Sequence, residues 1–328
     1  MATTHAGPII FAHRGASFEL PENTLQAFAL ALELGANAIE TDAHMTRDGH
    51  VVLSHDPTGE RAGGIARAIK DVTLAEIRTW DLGARFVPRR AGAFHSNQAF
   101  RMPTLDEALA SFPETVFNVD AKQTAPDMIP SLLRAIRAAN AEARVRIASF
   151  STKNLVRARA LGYGGETGLS STELARIMLV PRRLLRFLRV QGNAAQVPRR
   201  AYGMSFDSQA AIDRLHSLGL RVDFWTIDDP SEASRLFALG VRWRDDGRPP
   251  RRLCQRVFVA KTPRNSTHHE ARHRQPRPAA ASPGRSNLAP SFLSSVLDRH
   301  ALAIELATSV IGGRRGDRGA SKCANRHR

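Results

Sequence analysis

This sequence of 328 residues has only two cysteines, and it lacks long apolar runs and a leader-like amino terminus. Its two cysteines, Cys254 and Cys323, lie in the last quarter of the chain, so residues 1–240 use neither disulfides nor thiolate metal ligands. No stretch reaches the roughly 18 uncharged apolar residues that a membrane span requires. Residues 1–5 lack the basic and apolar regions of a secretory signal. We therefore expect no transmembrane segment and a cytoplasmic location.

An excess of positive charge is also lacking from most of the chain. Residues 1–240 carry 28 Lys and Arg against 25 Asp and Glu, a net charge of +3. Residues 241–328 carry 19 against 6, a net charge of +13. The overall charge of +16 is therefore a property of the carboxyl-terminal region, and no specific nucleic-acid partner is expected for the body of the chain.

What is present is a regular alternation of strand and helix patterns. The apolar residues 9–12 predict a strand that ends in His13, and Asn23 or Thr24 then caps a helix. Seven such units precede Gly240, which predicts a parallel sheet. Residues 57–101 interrupt the alternation, and we interpret them as an insertion over one face.

Polar side chains recur where the predicted strands end. They are His13, Glu40 with Asp42, His55, Asp120 with Lys122, and Trp225. An open sheet would concentrate such residues at one crevice, whereas a (β/α)8 barrel gathers them from many strand ends around one mouth. Their spread along the chain favours an α/β fold of the TIM-barrel type.

Three of these residues are carboxylates, and together they suit a hard cation. Glu40 and Asp42 are two residues apart on a predicted strand and therefore share a face, and Asp120 ends an adjacent strand. An all-oxygen ligand set is typical of Mg²⁺ or Ca²⁺. Without a cation, the mutual repulsion of the three groups would have to be relieved by raised pKa values.

The remaining strand-end residues suit phosphoryl chemistry. His13 and His55 can gain or lose a proton near neutral pH, so the pair can act as general acid and general base. Arg14 and Lys122 can hold an anion, the first with a bidentate fork and the second as a point charge. A single strand-end histidine is more often structural, so it is the joint occurrence that indicates a metal-dependent phosphoryl site.

These residues fall within longer motifs that occur in a fixed order between about residue 8 and residue 240. The motifs are His13-Arg14-Gly15, Pro21-Glu22-Asn23-Thr24, Glu40-x-Asp42, Asp48-Gly49, Val52-Leu53-Ser54-His55-Asp56-Pro57, Met102-Pro103-Thr104-Leu105, Asp120-Ala121-Lys122, Ser149-Phe150 and Trp225-Thr226-Ile227-Asp228. This order resembles the signature of the glycerophosphodiester phosphodiesterase family. The resemblance implies a TIM-type barrel with a small insertion after strand 2. It also implies a divalent cation, Mg²⁺ or Ca²⁺, and hydrolysis of small glycerophosphodiesters to an alcohol and sn-glycerol 3-phosphate.

The resemblance also implies a role for each residue. The implied set is His13 and His55 as catalytic acid and base, Glu40, Asp42 and Asp120 as metal ligands, Arg14 and Lys122 as phosphate-binding groups, and Trp225 as part of the substrate pocket. It does not distinguish the acid from the base. Asp120 stands where many family members have Glu, so its carboxylate reaches one methylene less far.

The carboxyl-terminal region departs from the family pattern. Family members continue after the equivalent of residues 238–241 with an apolar eighth strand, but residues 242–252 here are rich in Arg and Pro. We predict a barrel domain over residues 8–241 whose eighth strand is lost or replaced, and a disordered basic tail over residues 242–328. A shift of reading frame near residue 241 is favoured over a genuine tail that binds nucleic acid or anionic lipid.

Two alternatives stay open. The chain could be a degenerate barrel that binds phospho-ligands without turnover, or that binds nucleic acid through its tail. Residues 181–190 form a basic, amphipathic stretch, which predicts either peripheral contact with a membrane or the solvated face of a barrel helix. The second interpretation of this stretch is favoured.

Overall fold

The structure is a computed structural model, and it describes residues 9–87, 99–201, 203–240 and 255–259. The strands in these residues are β1 (Ile9–His13), β2 (Ala38–Met45), β3 (Val51–Leu53), β4 (Thr58–Gly59), β5 (Ile65–Ala68), β6 (Val116–Ala121), β7 (Val145–Ala148), β8 (Glu166–Thr167), β9 (Ala194–Val197), β10 (Arg200–Ala201), β11 (Met204–Ser205), β12 (Arg221–Ile227) and β13 (Gln255–Val259). The α-helices are α1 (Leu25–Glu33), α2 (Glu60–Gly63), α3 (Leu74–Ile77), α4 (Leu105–Ser111), α5 (Ile129–Ala138), α6 (Thr152–Ala160), α7 (Ser171–Leu179), α8 (Gln209–His216) and α9 (Pro230–Gly240). Short 3-10 helices cover Ile69–Asp71 and Arg182–Phe187.

Eight parallel strands form the barrel, in the order β8-β7-β6-β2-β1-β13-β12-β9. The two ends of this order meet where Gly168 bridges Ala194 and where the N–H of Asn193 donates to the carbonyl of Thr167 over 2.7 Å. Because the strands are parallel, their carboxyl ends lie on the same side of the barrel. The predicted TIM-type fold is confirmed.

The eighth barrel position is filled from the carboxyl-terminal region. β13 pairs in parallel with β1 on one side and with β12 on the other, and Val257 lies opposite both Ile10 and Phe224. The strand that was predicted to be lost or replaced is therefore replaced, by residues from the stretch predicted as a disordered tail. The rest of residues 242–328 lie outside the described part of the chain, and their assignment stays a prediction.

The predicted insertion follows the second barrel strand. β3 runs antiparallel to β2, with Val52 opposite His44, and the hairpin of β4 and β5 comes next. The insertion has its own apolar cluster, in which Ile69, Ile77 and Trp80 are buried against one another. It is therefore held as a packed layer beside the carboxyl end of β2.

Local sequence explains where the helices begin and end. Thr104 and Glu107 form the capping box at the start of α4 that their spacing predicts. Residues 181–190, which the sequence favoured as the face of a barrel helix, do not continue α7. Because Pro181 disfavours helical geometry in Val180, α7 ends at Leu179 and the chain continues as a 3-10 helix.

Apolar packing lies mainly between the strands and the surrounding helices. Phe28 of α1 meets Phe117 of β6 edge-on, with ring centroids 6.1 Å apart, and both side chains are fully buried. Among the described residues, no helix combines the length and the hydrophobicity needed to pass through a lipid bilayer.

The barrel interior, by contrast, contains a polar network. Arg146 of β7 lies 2.6 Å from Asp223 of β12, and their side chains are 1% and 0% exposed. The side-chain oxygen of Asn118 accepts hydrogen bonds from Arg146 and from Gln196, at 2.7 and 2.9 Å. The contacts of Arg146 with Asp223 and of Gln196 with Asn118 join strands that are not neighbours, so the four side chains point into the barrel.

Candidate active site

The carboxyl ends of β1, β2 and β6 bring most of the predicted site residues together. In the strand pairing, His13 lies opposite Glu40, and Asp42 lies opposite Asp120. Lys122 immediately follows β6, and its backbone N–H donates to the carbonyl of Ala43 on β2. Strand order therefore collects at one mouth groups that are far apart in the chain.

Lys122 lies between two of the predicted metal ligands. Its ammonium group is 2.9 Å from Asp42 Oδ1 and 2.6 Å from Asp120 Oδ2. Burial lowers the pKa of Lys122, but the two carboxylates raise it more, so the net shift of the pKa is upward. Lys122 is therefore charged and neutralises part of a buried acidic site.

Arg14 forms a second link to the same carboxylate. Its Nε lies 3.0 Å from Asp42 Oδ2, and its Nη1 lies 3.2 Å from Glu22 Oε1. The next residue, Gly15, has φ +82°, and a Cβ there would lie 2.7 Å from the backbone of Ala27. Only glycine fits this turn, which directs the guanidinium across the mouth.

Asn23 has a larger part in the site than its predicted capping role. Thr24 caps α1, whereas Asn23 adopts φ 56° and is 1% exposed. Its side chain donates to Asp42 Oδ2 over 3.3 Å and accepts a hydrogen bond from Thr41 over 2.7 Å. Asn23 therefore orients Asp42, and the signal for this role was its place in the Pro-Glu-Asn-Thr motif.

His13 and Glu40 face one another with opposite shifts in pKa. His13 Nε2 is 3.8 Å from Glu40 Oε2. Burial and the charge of Arg14 lower the pKa of His13 to about 4. Burial, followed by repulsion from Asp42 and Asp120, raises the pKa of Glu40 well above its usual range. The imidazole of His13 is therefore neutral at neutral pH and able to accept a proton.

His55 lies two residues beyond β3 and is held by its neighbour in sequence. Its Nδ1 is 2.7 Å from Asp56 Oδ1. Asp56 also pairs with Arg61, whose Nη2 lies 2.6 Å from Glu22 Oε1. Because Glu22 contacts Arg14 as well, a chain of ion pairs links the turn after β1 to the loop that carries His55.

Sequence reasoning missed Asp56, Arg61 and Glu22 as parts of the site. Asp56 and Glu22 occur within the quoted motifs, so a signal was present, but no role was assigned to them. Arg61 lies in the insertion and belongs to no motif. Its place in the network depends on how the insertion folds back over the mouth.

A cleft of about 370 Å³ opens beside His55 and Lys122. Its other lining residues are His44, Pro57, Ala68, Lys70, Gln123, Thr124 and Ala125. Apart from His44 of β2, these residues come from the insertion and from the loop after β6. The cleft therefore gives a small molecule access to one side of the site.

Trp225 lies on another side of the mouth. Its ring meets that of Phe150 edge-on, with centroids 5.9 Å apart. Phe150 is 67% exposed, and the ammonium of Lys122 lies 5.4 Å from the centroid of its ring. An aromatic pair thus borders the charged groups, with Phe150 reaching toward solvent.

The three predicted metal ligands are not gathered into a complete site. Among the described residues, no group of three His, Cys, Asp or Glu side chains is arranged to hold a metal ion. Their chemistry nevertheless fits a hard cation. Glu40 Oε2 and Asp120 Oδ1 are buried and receive no hydrogen bond from the described part of the chain. Such oxygens are suitable ligands for Mg²⁺ or Ca²⁺.

The charge balance of the mouth leads to the same conclusion. Carboxylates outnumber cations there, with Glu22, Glu40, Asp42, Asp56 and Asp120 against Arg14, Arg61 and Lys122. An anionic phosphodiester would be repelled by this excess unless further positive charge were bound. The site residues therefore fit a divalent cation in charge as well as in ligand type.

A (β/α)8 barrel with this mouth belongs to the phosphoric diester hydrolases. The chain is a member of the glycerophosphoryl diester phosphodiesterase family, whose model matches residues 13–243. It is 39% identical over 152 residues to the glycerophosphodiester phosphodiesterase of Caldanaerobacter subterraneus, a match that covers 45% of this chain and 60% of that protein. A Mycobacterium tuberculosis protein named probable glycerophosphodiester phosphodiesterase 2 is 31% identical over 244 residues, covering 72% of this chain and 86% of that protein.

A solved structure supports the fold assignment. The chain resembles a phosphodiesterase of Oleispira antarctica, crystallised in complex with the product sn-glycerol-3-phosphate, with a TM-score of 0.57 and 21% identity. The match covers 77% of this chain and 93% of that one. At this identity, the likeness establishes the barrel architecture.

Proposed function

We propose that this chain hydrolyses glycerophosphodiesters to an alcohol and sn-glycerol 3-phosphate. The observation that carries the proposal is the mouth itself, where a neutral His13 faces Glu40 and Lys122 bridges Asp42 and Asp120. The product that the Oleispira antarctica enzyme binds, sn-glycerol-3-phosphate, is the product expected here.

The two histidines divide the proton transfers between them. His13 is neutral, so it accepts the proton of the glycerol 2-hydroxyl as that oxygen forms a bond to phosphorus. The bond from phosphorus to the alcohol oxygen breaks, and His55 gives that oxygen a proton. Asp56, 2.7 Å from His55 Nδ1, holds the imidazole in position for this transfer. Water then opens the cyclic phosphodiester, and the two histidines exchange roles.

The charged residues hold the phosphate during these steps. Glu40, Asp42 and Asp120 are the residues that would hold a divalent cation, Mg²⁺ or Ca²⁺. When bound, such a cation neutralises charge on the phosphate oxygens and makes phosphorus more electrophilic. Arg14 and Lys122 then turn from the carboxylates toward the phosphate. Trp225 borders the glycerol side, and the cleft beside His55 receives the leaving alcohol.

The proposal is tested with glycerophosphocholine and purified full-length chain, by enzymatic detection of the sn-glycerol 3-phosphate released. His13→Gln and His55→Gln are each expected to lower kcat/KM by about 10²- to 10⁴-fold, the usual contribution of a general acid or base. His50→Gln changes an exposed histidine in the turn before β3 and serves as the matched control.

Chelation supplies the second arm of this test. A chelator is expected to abolish turnover, and added Mg²⁺ or Ca²⁺ to restore it. Glycerophosphocholine that stays intact with either cation present would favour the non-catalytic barrel. If His13→Gln is as active as His50→Gln, His13 is not a member of the acid–base pair.

A further inference from the structure

Apolar and basic side chains are exposed together in the segment that joins α7 to β9. Leu179, Leu184 and Phe187 are 79%, 44% and 68% exposed. Exposed arginines alternate with them in the sequence. We define the basic-apolar face by six residues, Leu179, Arg183, Leu184, Arg186, Phe187 and Arg189.

The 3-10 geometry of this segment sorts its side chains into rows. A 3-10 helix has three residues per turn, so residues three apart lie on the same side. Leu185 points inward and is 3% exposed in the apolar core. The two rows that remain face solvent, one formed by Leu184 and Phe187 and the other by Arg183 and Arg186. The apolar and the basic row therefore lie side by side.

This arrangement differs from the solvated face of a barrel helix, which the sequence favoured. Such a face would bury its apolar residues and expose only the charged ones. Here Phe187 stays in solvent with the guanidinium of Arg186 4.8 Å from its ring centroid. An exposed aromatic residue with flanking arginines is typical of side chains that enter a lipid headgroup region.

The positive charge of the face is not neutralised locally. Residues 174–206 contain seven arginines and no Asp or Glu. Within the part of the chain that the structure describes, Arg183, Arg186 and Arg189 form no ion pair, whereas Arg199 pairs with Asp207. The surface therefore attracts a polyanionic partner.

The face is fixed in place by contacts at both ends. Arg214 of α8 donates to the carbonyls of Ile177, at 2.6 Å, and Val180. The carboxylate of Glu173 accepts hydrogen bonds from the N–H groups of Gln191 and Gly192, at 3.0 and 3.3 Å. Because the segment is held at both ends, its apolar residues stay exposed rather than folding into the core.

We propose that the basic-apolar face docks on a bilayer that contains anionic phospholipid. Nucleic acid would use the arginines but would gain little from Leu179 and Leu184, which suit an acyl-chain boundary. Residues 241–328 carry a net charge of +13, which does not complement the arginines. Anionic phospholipid offers charged headgroups to the arginine row and acyl chains to the apolar row.

The position of the face sets the orientation of the docked protein. It follows the carboxyl end of α7 and precedes the amino end of β9, so it lies away from the strand carboxyl ends that form the mouth. The mouth then opens toward water. If the proposed function holds, the substrate is a deacylated, water-soluble glycerophosphodiester rather than a lipid still in the bilayer.

Vesicle co-sedimentation of the full chain tests the docking. Phosphatidylcholine vesicles with phosphatidylglycerol are expected to bind it, and vesicles of phosphatidylcholine alone are not. R183Q/R186Q/R189Q is expected to weaken binding about 100-fold, since each basic residue near an anionic surface contributes about fivefold. L184S/F187S is expected to weaken it about tenfold or more. R314Q/R315Q/R318Q removes the same charge from the carboxyl-terminal region and should bind almost as the parent does.

Three results would overturn the proposal. They are no binding to the anionic vesicles, equal weakening in the charge-matched control, and weakening by the arginine variant without any by L184S/F187S. The last result, combined with salt-sensitive binding of DNA or RNA, would identify nucleic acid as the partner. A cooperative thermal unfolding transition is the check that each variant is folded. Turnover of glycerophosphocholine should equal that of the parent in all variants, so a chain that docks without turnover would contradict the proposed function alone.

Discussion

The barrel holds charged side chains at two depths. At the strand carboxyl ends, His13 and Lys122 are 24% and 19% exposed. Inside the barrel, Arg146 of β7 and Asp223 of β12 are 1% and 0% exposed. The side chains at both depths come from strands of the same parallel sheet, so strand architecture does not separate them. Depth along the strand decides whether a charge meets a ligand or a partner within the protein.

The two settings differ in how completely the charges are matched. Inside the barrel, Arg146 is paired with Asp223 and hydrogen-bonded to Asn118. At the mouth, the three carboxylates of Glu40, Asp42 and Asp120 lie beside only two of the site's cations, Arg14 and Lys122. The interior charges are therefore balanced one to one, whereas the mouth has an excess of carboxylates that a bound cation can offset.

The largest expected effect comes from breaking the interior pair. Arg146→Met leaves the carboxylate of Asp223 buried without its partner and should lower the free energy of unfolding by about 3–5 kcal/mol. Arg157→Met is the control, because Arg157 and Asp127 form an exposed pair worth less than about 1 kcal/mol. Urea unfolding followed by circular dichroism measures both. If the two variants are equally stable, the interior pair does not stabilise the barrel.

A second substitution tests whether β13 is part of the folded barrel. Val257→Pro removes a backbone donor from β13, which has neighbours on both sides, and should cost about 3 kcal/mol or more in unfolding free energy. The control, Val310→Pro, lies in the region predicted as a tail and should have no effect. Equal thermal midpoints for both variants would place β13 outside the folded barrel and extend the predicted tail back to residue 242.

The sequence predicts the seven preceding units because their signals are local. Capping residues, apolar runs and strand-end polar groups each occur within a few residues, as in the capping box of Thr104 and Glu107. β13 has no such signal, since five residues of mixed polarity stand in a stretch rich in Arg and Pro. Its assignment depends on pairing with β1 and β12, and these contacts are not local in the chain.

Depth within the barrel is also hidden from sequence. Asp223 and Trp225 are two residues apart on β12 and therefore share a face. Only the fold shows that Asp223 is buried against Arg146, whereas Trp225 reaches Phe150 near the mouth. Sequence periodicity shows which face of a strand a residue lies on. How deep in the barrel the residue lies depends on the tilt and stagger of the strands, which are set when the barrel closes.

A smaller effect is expected where a mouth residue acts through another. Asp56→Asn keeps the shape of the side chain but removes the charge beside His55 Nδ1. We expect kcat/KM to fall about 10- to 100-fold, as for partners that orient metal-bound histidines. A loss that acts through the charge beside His55 should alter the pH–rate profile as well as the rate.

The control for this positioning role is Asp106→Asn, which changes an exposed aspartate in the first turn of α4. Its kcat/KM and its pH–rate profile should match those of the parent. A loss of activity in Asp56→Asn with an unmoved profile would mean that Asp56 supports the loop through Arg61 rather than the charge of His55.

The smallest expected effect concerns a histidine that belongs neither to the mouth nor to the polar network inside the barrel. His216 ends α8, and burial lowers its pKa below 6.5, while Asp213 acts weakly in the opposite direction. The unfolded chain therefore binds this proton more readily than the folded one. The stabilising contribution of neutral His216 is complete above pH 6.5 and is lost as the pH falls toward the pKa of the folded state.

His216→Gln should reduce the drop in thermal midpoint between about pH 7.5 and about pH 5.5, with kcat/KM unchanged, whereas His50→Gln should keep the parental drop. An equal drop in all three proteins would show that His216 does not contribute to the acid sensitivity.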